Sequence, residues 1–197
     1  MNYFVFFDIF MCLGWFIVYI LIIIGSIKYN SPLISPFGQA VIASFELAVF
    51  IGYFLSGAYI IDYVSLVYIL LGIIEILITY IFIIKGFIKK GQLILYLFFL
   101  TALVLTMFYL IYFKEMYFFF SYFNTIIGEL IWLFYIKSEE YPINKYTISI
   151  FLIKFIANAV SIPVYYGKGN FFISFMSICL PIIDYCFIIE YKKRIAN

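Results

Sequence analysis

The sequence contains no histidine and only three cysteines, and charged residues make up just 11% of it. Without histidine, the commonest transition-metal ligand and the commonest general base near neutral pH are both missing. Cys12, Cys179 and Cys186 all lie inside apolar stretches with no C-x-x-C or zinc-like spacing. They read as small buried hydrophobes rather than redox or nucleophilic groups. The chain also has no H-E-x-x-H, no G-x-S-x-G, no closely spaced aspartate pair and no phosphate-cradling P-loop. No cofactor is therefore implied, and a metal is neither implied nor excluded. Twelve basic against ten acidic residues leave a formal charge of +2, too balanced for a nucleic-acid binder. The first residues lack a basic n-region, and the apolar stretch 3–27 is too long for a signal-peptide core, so no cleavable leader is expected.

What is present in excess is apolar surface. Of 197 residues, 68% are hydrophobic and 24% aromatic, and the mean hydropathy is +1.17. A soluble domain carries about 45–50% apolar and roughly 25% charged residues, and a body this small cannot hide the surplus from water. The expectation is an all-α polytopic membrane protein forming one transmembrane domain over 1–197. The cytoplasmic (cell) membrane is the expected location, with membrane lipids as its surroundings.

Because about 20 apolar residues cross a bilayer as a helix, charges and Gly/Pro clusters divide the chain into seven spans. These are 4–27, 37–60, 64–84, 93–113, 116–136, 147–166 and 171–190. The cuts near Asp62 and at Lys114-Glu115 are the weakest. Lys28, Lys85, Lys89, Lys90, Lys137, Lys145, Lys192, Lys193 and Arg194 fall on one side, against Lys114 and Lys168 on the other. The positive-inside rule then puts the N-terminus outside and the C-terminus in the cytoplasm. Trp132 and the tyrosines near span ends fit ordinary aromatic belts.

Seven spans also divide as two parallel three-helix repeats, 1–92 and 114–197, joined by a linker helix over 93–113. An offset of 109 residues pairs Lys28 with Lys137 and Glu75 with Asp184, and Pro32 and Pro142 follow the paired lysines. Chance similarity between two isoleucine- and phenylalanine-rich halves is the alternative.

Ionisable residues inside spans are costly, usually face the bundle interior and mark sites. Glu129, Lys154 and Asp184 each lie seven residues, roughly 10 Å at the helical rise, from the cytoplasmic end of their span. Glu46 and Glu75 lie about nine residues from theirs, so the five occupy one layer. Helical periodicity adds Ala43, Tyr53 and Gly57 beside Glu46, and Tyr68, Gly72 and Thr79 beside Glu75. It adds Ser121, Tyr122, Thr125, Gly128 and Trp132 beside Glu129, Asn158, Ser161 and Tyr165 beside Lys154, and Ser174 and Ser177 near Asp184. Pro181, three residues before Asp184, is placed to kink its helix and free carbonyls for a cation; a packing kink is the simpler alternative. Asp8 is either a water-exposed first-turn residue or part of a vestibule with Trp15 and Tyr19.

Four acids against one base exceed what structural ion pairing needs. The candidate substrate-binding or coupling set is Glu46, Glu75, Glu129, Lys154, Asn158 and Asp184, with no catalytic residue assigned. The function expected is a small transporter or permease for a cation or a small cationic or neutral solute, coupled to protons through the carboxylates. Two other classes remain: a non-catalytic membrane subunit or substrate-capture component, with a partner subunit or homo-oligomer, and an integral-membrane lipid-modifying enzyme. The sequence leans away from an enzyme.

Overall fold

The computed structural model describes residues 3–56, 63–114, 117–138, 141, 143–166 and 171–196. Among them the chain forms seven α-helices and no strand: α1 (Tyr3–Tyr29), α2 (Pro36–Ser56), α3 (Tyr63–Ile84), α4 (Lys90–Lys114), α5 (Tyr117–Lys137), α6 (Lys145–Tyr166) and α7 (Phe171–Ala196). A helix satisfies its own backbone, which suits apolar runs of this length even where isoleucine, tyrosine and phenylalanine would favour strands in water. Four stretches are long and apolar enough to cross a membrane: Ile9–Tyr29, Lys90–Leu110, Lys145–Pro163 and Phe171–Ala196. Shorter apolar stretches lie over Pro36–Gly52 and Ile69–Ile84. The protein is a helical membrane protein.

Local chemistry sets several helix ends. Asn30 adopts a left-handed conformation (φ 46°) just beyond α1, and the Asn30 and Ser31 amides donate to the carbonyls of Ile27 and Ser26, closing the helix as a C-cap. Ser35 caps α2 by accepting the Gly38 amide at 3.4 Å, with Pro36 in the first helical position, where a missing N–H costs nothing. Asn144 caps α6, its Oδ1 accepting the amides of Tyr146 and Thr147. The basic Lys193 and Arg194 belong to the last turn of α7, which runs six residues beyond the expected span, so its lysines and arginine complement the helix dipole.

The packing order is regular. α3 lies against both α1 and α2, and α7 lies against both α5 and α6. Across the molecule α1 packs on α6 and α2 on α5. α4 leans on α2 and more lightly on α5, and its far side presents Ile94, Leu95, Phe98 and Leu105 outward. The outer surface is apolar all round, with Leu55, Phe98, Phe134 and Phe171 among its most exposed side chains. In water such a surface would be one large adhesive patch; in a bilayer lipid covers it. The interior is the reverse, combining a core centred on Tyr19, Phe82, Tyr96, Trp132, Phe151 and Phe187 with sixteen buried polar or charged side chains among the described residues.

The cysteine expectation holds for one residue of three. None of the three is in a disulfide, but only Cys12 is buried; Cys179 is half-buried and Cys186 exposed on the outer, apolar surface. A helix with an apolar exterior gives no one-dimensional sign of which face its cysteine occupies. α7 also runs unbroken through Pro181, and α6 through Pro163.

Candidate functional site

The six candidate residues are all buried, but they do not form a single layer of neighbours. They gather into two clusters. In one, the Lys154 ammonium on α6 lies 2.7 Å from Asp184 Oδ1 on α7 and 3.1 Å from Glu129 Oε1 on α5. Asn158, one turn beyond Lys154, donates its amide to Asp184 Oδ2 at 2.7 Å and to Glu129 Oε1 at 3.3 Å. Three rings surround the ammonium, with centroids at 4.4 Å for Phe187, 4.9 Å for Trp132 and 5.9 Å for Trp15. Ammonium over an aromatic face is favourable when both are desolvated, and here Lys154, Glu129 and Asp184 have no exposure at all. The cation beside Asp184 is Lys154 itself, reached from the neighbouring helix.

The second cluster has no base. Tyr19 on α1 donates its hydroxyl to Glu46 Oε1 on α2 at 3.1 Å, and Gln39, also on α2, donates its amide to Glu75 Oε2 on α3. The Glu46 and Glu75 carboxyls lie in electrostatic contact with each other and with Tyr19. The Glu46 and Glu75 carboxyls lie within hydrogen-bonding reach of each other, as Glu75 does of the Tyr19 hydroxyl. Gln39 Oε1 accepts no hydrogen bond, and a buried acceptor without a donor is expensive.

Trp15 stands between the clusters. Its indole N–H donates to Asn158 Oδ1 at 3.1 Å, and its ring lies 5.6 Å from Tyr19 and 6.5 Å from Trp132. Beside it is a cavity of about 50 Å³ lined by residues of α1, α2, α3, α5, α6 and α7. Trp15, Tyr19, Phe45 and Tyr122 contribute rings to its wall, while Glu46, Thr125 and Asn158 contribute polar groups. The cavity thus touches both clusters, through Tyr19 and Glu46 on one side and through Asn158 and Trp15 on the other. It is displaced toward the ends at which α1, α3, α5 and α7 begin.

The other end is sealed. Tyr141 and Tyr135 donate their hydroxyls to the carbonyls of Leu33 and Pro32, at 3.0 and 3.2 Å. Tyr191 donates to the Asn144 carbonyl. Arg194 Nη1 donates to the carbonyls of Ile136 and Ser138 at 2.6 and 2.7 Å. The segment after α1 is thereby fastened to the segment after α5, and the C-terminal turn of α7 is fastened to both sides of the α5 end.

Some participants were not legible beforehand. Trp132 belongs to no aromatic belt: it is 1% exposed and stacked over Lys154. Its distance from the helix end suits a belt, but its face points inward. Gln39 was not singled out, although a lone amide in an apolar run is the kind of signal that finds such a residue. Asn124, bonded to Ser44 and to the Val41 carbonyl, ties α5 to α2 in the same way. Of the residues expected on the polar faces, Tyr122, Gly128, Ser161, Ser174 and Ser177 are buried. Gly57 lies outside the described residues, and so do the side chains of Asp8, Tyr53, Tyr68, Ser121 and Tyr165.

No protein-family model matches the chain, and no curated protein and no solved structure matches it.

Proposed function

We propose that the chain is a seven-span transporter for a small cationic or neutral solute, coupled to protons through its buried carboxyls, with the N-terminus outside and the C-terminus in the cytoplasm. The observation that carries this reading is the central cavity. It is lined from six helices, bounded by an uncompensated acid pair on one side and an amide-linked ion cluster on the other, and closed toward the basic end. In this orientation the hydrogen-bonded end faces the cytoplasm, and alternating access requires those bonds to break when the cavity opens to that side.

A parallel duplication supports the same reading. Exchanging α1, α2 and α3 for α5, α6 and α7 maps the packing order onto itself: α3 with its two neighbours becomes α7 with its two, and α1 on α6 becomes α5 on α2. The same exchange relates Tyr19 to Glu129, Glu46 to Lys154 and Glu75 to Asp184, at separations of 110, 108 and 109 residues. Each set of three converges within its own triplet. α4, peripheral and largely lipid-facing, is the linker that lets both triplets enter the membrane in the same direction. Under this reading the two triplets rock against each other about the cavity.

The test is uptake into proteoliposomes carrying a trapped pH indicator. Wild-type protein is expected to dissipate an imposed pH gradient when the transported cation is supplied, and Glu46→Gln/Glu75→Gln protein is expected not to. Proton flux in wild-type vesicles no faster than in empty ones, across a panel of small cations and neutral solutes, overturns the proposal.

A further inference from the structure

Lys154 shows how this interior holds a primary ammonium: two carboxylates from neighbouring helices, an amide that braces them, and aromatic rings facing the nitrogen. The other triplet has the same ingredients without the ammonium. Glu46 and Glu75 supply two carboxyls from neighbouring helices, Gln39 braces Glu75, and Trp15, Tyr19, Phe45 and Tyr122 supply rings beside Glu46. The difference is that here Glu46 stands where the other triplet has Lys154, and a cavity lies beside it. Glu46 is 8% exposed and lines that cavity, where the Tyr19 hydroxyl donates to its Oε1.

We propose that this cavity binds a small ammonium cation, ammonium itself or a short primary amine, with Glu46 as its counter-ion. The inference rests on the transport reading for its purpose and on the cavity for its chemistry. An ammonium brings N–H donors to a wall that offers the Glu46 carboxyl and the Asn158 amide oxygen. The positive charge offsets an acid pair that has no base of its own, and the rings favour a soft, weakly hydrated cation over a hard one. The described residues hold no group of three or more Cys, Asp or Glu side chains arranged to ligate a metal. Hard cations prefer six or more oxygens, and this wall is mostly aromatic. At about 50 Å³ the cavity has several times the roughly 10–15 Å³ one water requires, room for a solute of a few non-hydrogen atoms. Anions are disfavoured because the one buried base is already held by two carboxylates.

The experiment is calorimetric titration of the purified full chain in lipid nanodiscs with methylammonium chloride, at constant ionic strength, with sodium chloride as the control. Saturable binding is expected for methylammonium and not for sodium, weakened about tenfold or more in Glu46→Gln, as loss of a charge-assisted bond implies. That variant keeps the acceptor for Tyr19 and should melt like wild type. Should it fail to fold, alkylation of Cys12, which lines the cavity, decides in a Cys179→Ser/Cys186→Ser background: methylammonium is expected to slow it and sodium is not. Unsaturable binding, equal response to sodium, undiminished binding by folded Glu46→Gln, or unprotected Cys12 overturns the proposal. Binding without vesicle uptake overturns the transport reading and leaves the site standing. Uptake of another solute that ignores Glu46→Gln overturns the site and leaves transport standing.

Discussion

Lys154 is the only buried base among the described residues, and it neutralises part of a four-acid interior. Removing it leaves Glu129 and Asp184 facing each other in a dry core. Breaking a buried pair by deleting one partner costs about 3–5 kcal/mol, so Lys154→Met is expected to lower the melting temperature in detergent sharply. Because the loss comes from stranded carboxylates, adding Asp184→Asn and Glu129→Gln to Lys154→Met should recover most of it. Glu46→Gln is expected to behave oppositely, with little change in melting, since it leaves Tyr19 its acceptor and gives Glu75 a neutral hydrogen-bonding neighbour. A stability loss in Glu46→Gln as large as in Lys154→Met contradicts this division between a braced ion cluster and an uncompensated acid pair.

At the scale of elements, α2 and α5 cross closely, glycine against glycine. A Cβ on Gly38 would sit 2.8 Å from the Gly128 carbonyl oxygen, and one on Gly128 would sit 2.8 Å from the Gly38 carbonyl oxygen. Backbone cannot swing aside as a flexible side chain can, so both positions require glycine. Gly128→Ala is expected to push the helices apart at a cost of about 1–3 kcal/mol, read as reduced resistance to SDS-induced unfolding. The consequence reaches beyond stability, because Glu129 and Trp132 follow Gly128 on the same helix. A displaced α5 loosens the Lys154 cluster, and the tryptophan emission of Gly128→Ala should shift accordingly. The substitution Gly91→Ala, at a position with open space around it, is the control and should leave both readings unchanged.

The whole molecule is closed at one end by backbone carbonyls accepting from Tyr135, Tyr141, Tyr191 and Arg194. Arg194→Ala/Tyr141→Phe removes three of these bonds and should open that end, detected as faster maleimide labelling of a cysteine placed at Ile136, which is 1% exposed in the closed form. Tyr141 lies between α5 and α6, and burial pushes its hydroxyl above its ordinary value of 10.0. The folded protein thus favours the neutral hydroxyl. Its contribution is fully present below about pH 10, the unfolded tyrosine value, and is lost as pH rises through the higher folded value. The seal should therefore be indifferent to pH between 6 and 9, while unfolding above pH 10 should be less steep in Tyr141→Phe. A seal that opened near neutrality, measured by the same labelling, would have to involve another group.

Much of the fold was legible because it depends on local quantities. The helix boundaries follow the apolar runs to within a few residues, except α7, where the basic cluster continues the helix instead of ending it. The burial of Glu46, Glu75, Glu129, Lys154 and Asp184 was legible too, since an ionisable side chain within an apolar helix is driven to the interior. Azimuth and neighbours were not. Periodicity says which residues share a face, but not which helix that face meets when the opposite face is equally apolar. That is why Trp132 reads as a belt residue from its position and proves to be a ring over Lys154, and why Cys186 faces outward. It is also why one layer of five charges proves to be two clusters, with the lysine given wholly to Glu129 and Asp184. Composition and hydrophobic runs alone determine that this chain is a helical membrane protein with ionisable groups inside its apolar helices, because the cost of exposing apolar surface and unpaired backbone is paid segment by segment. Which acids share the lysine, and which are left with a cavity, was decided only by tertiary packing, because that depends on which helices stand side by side.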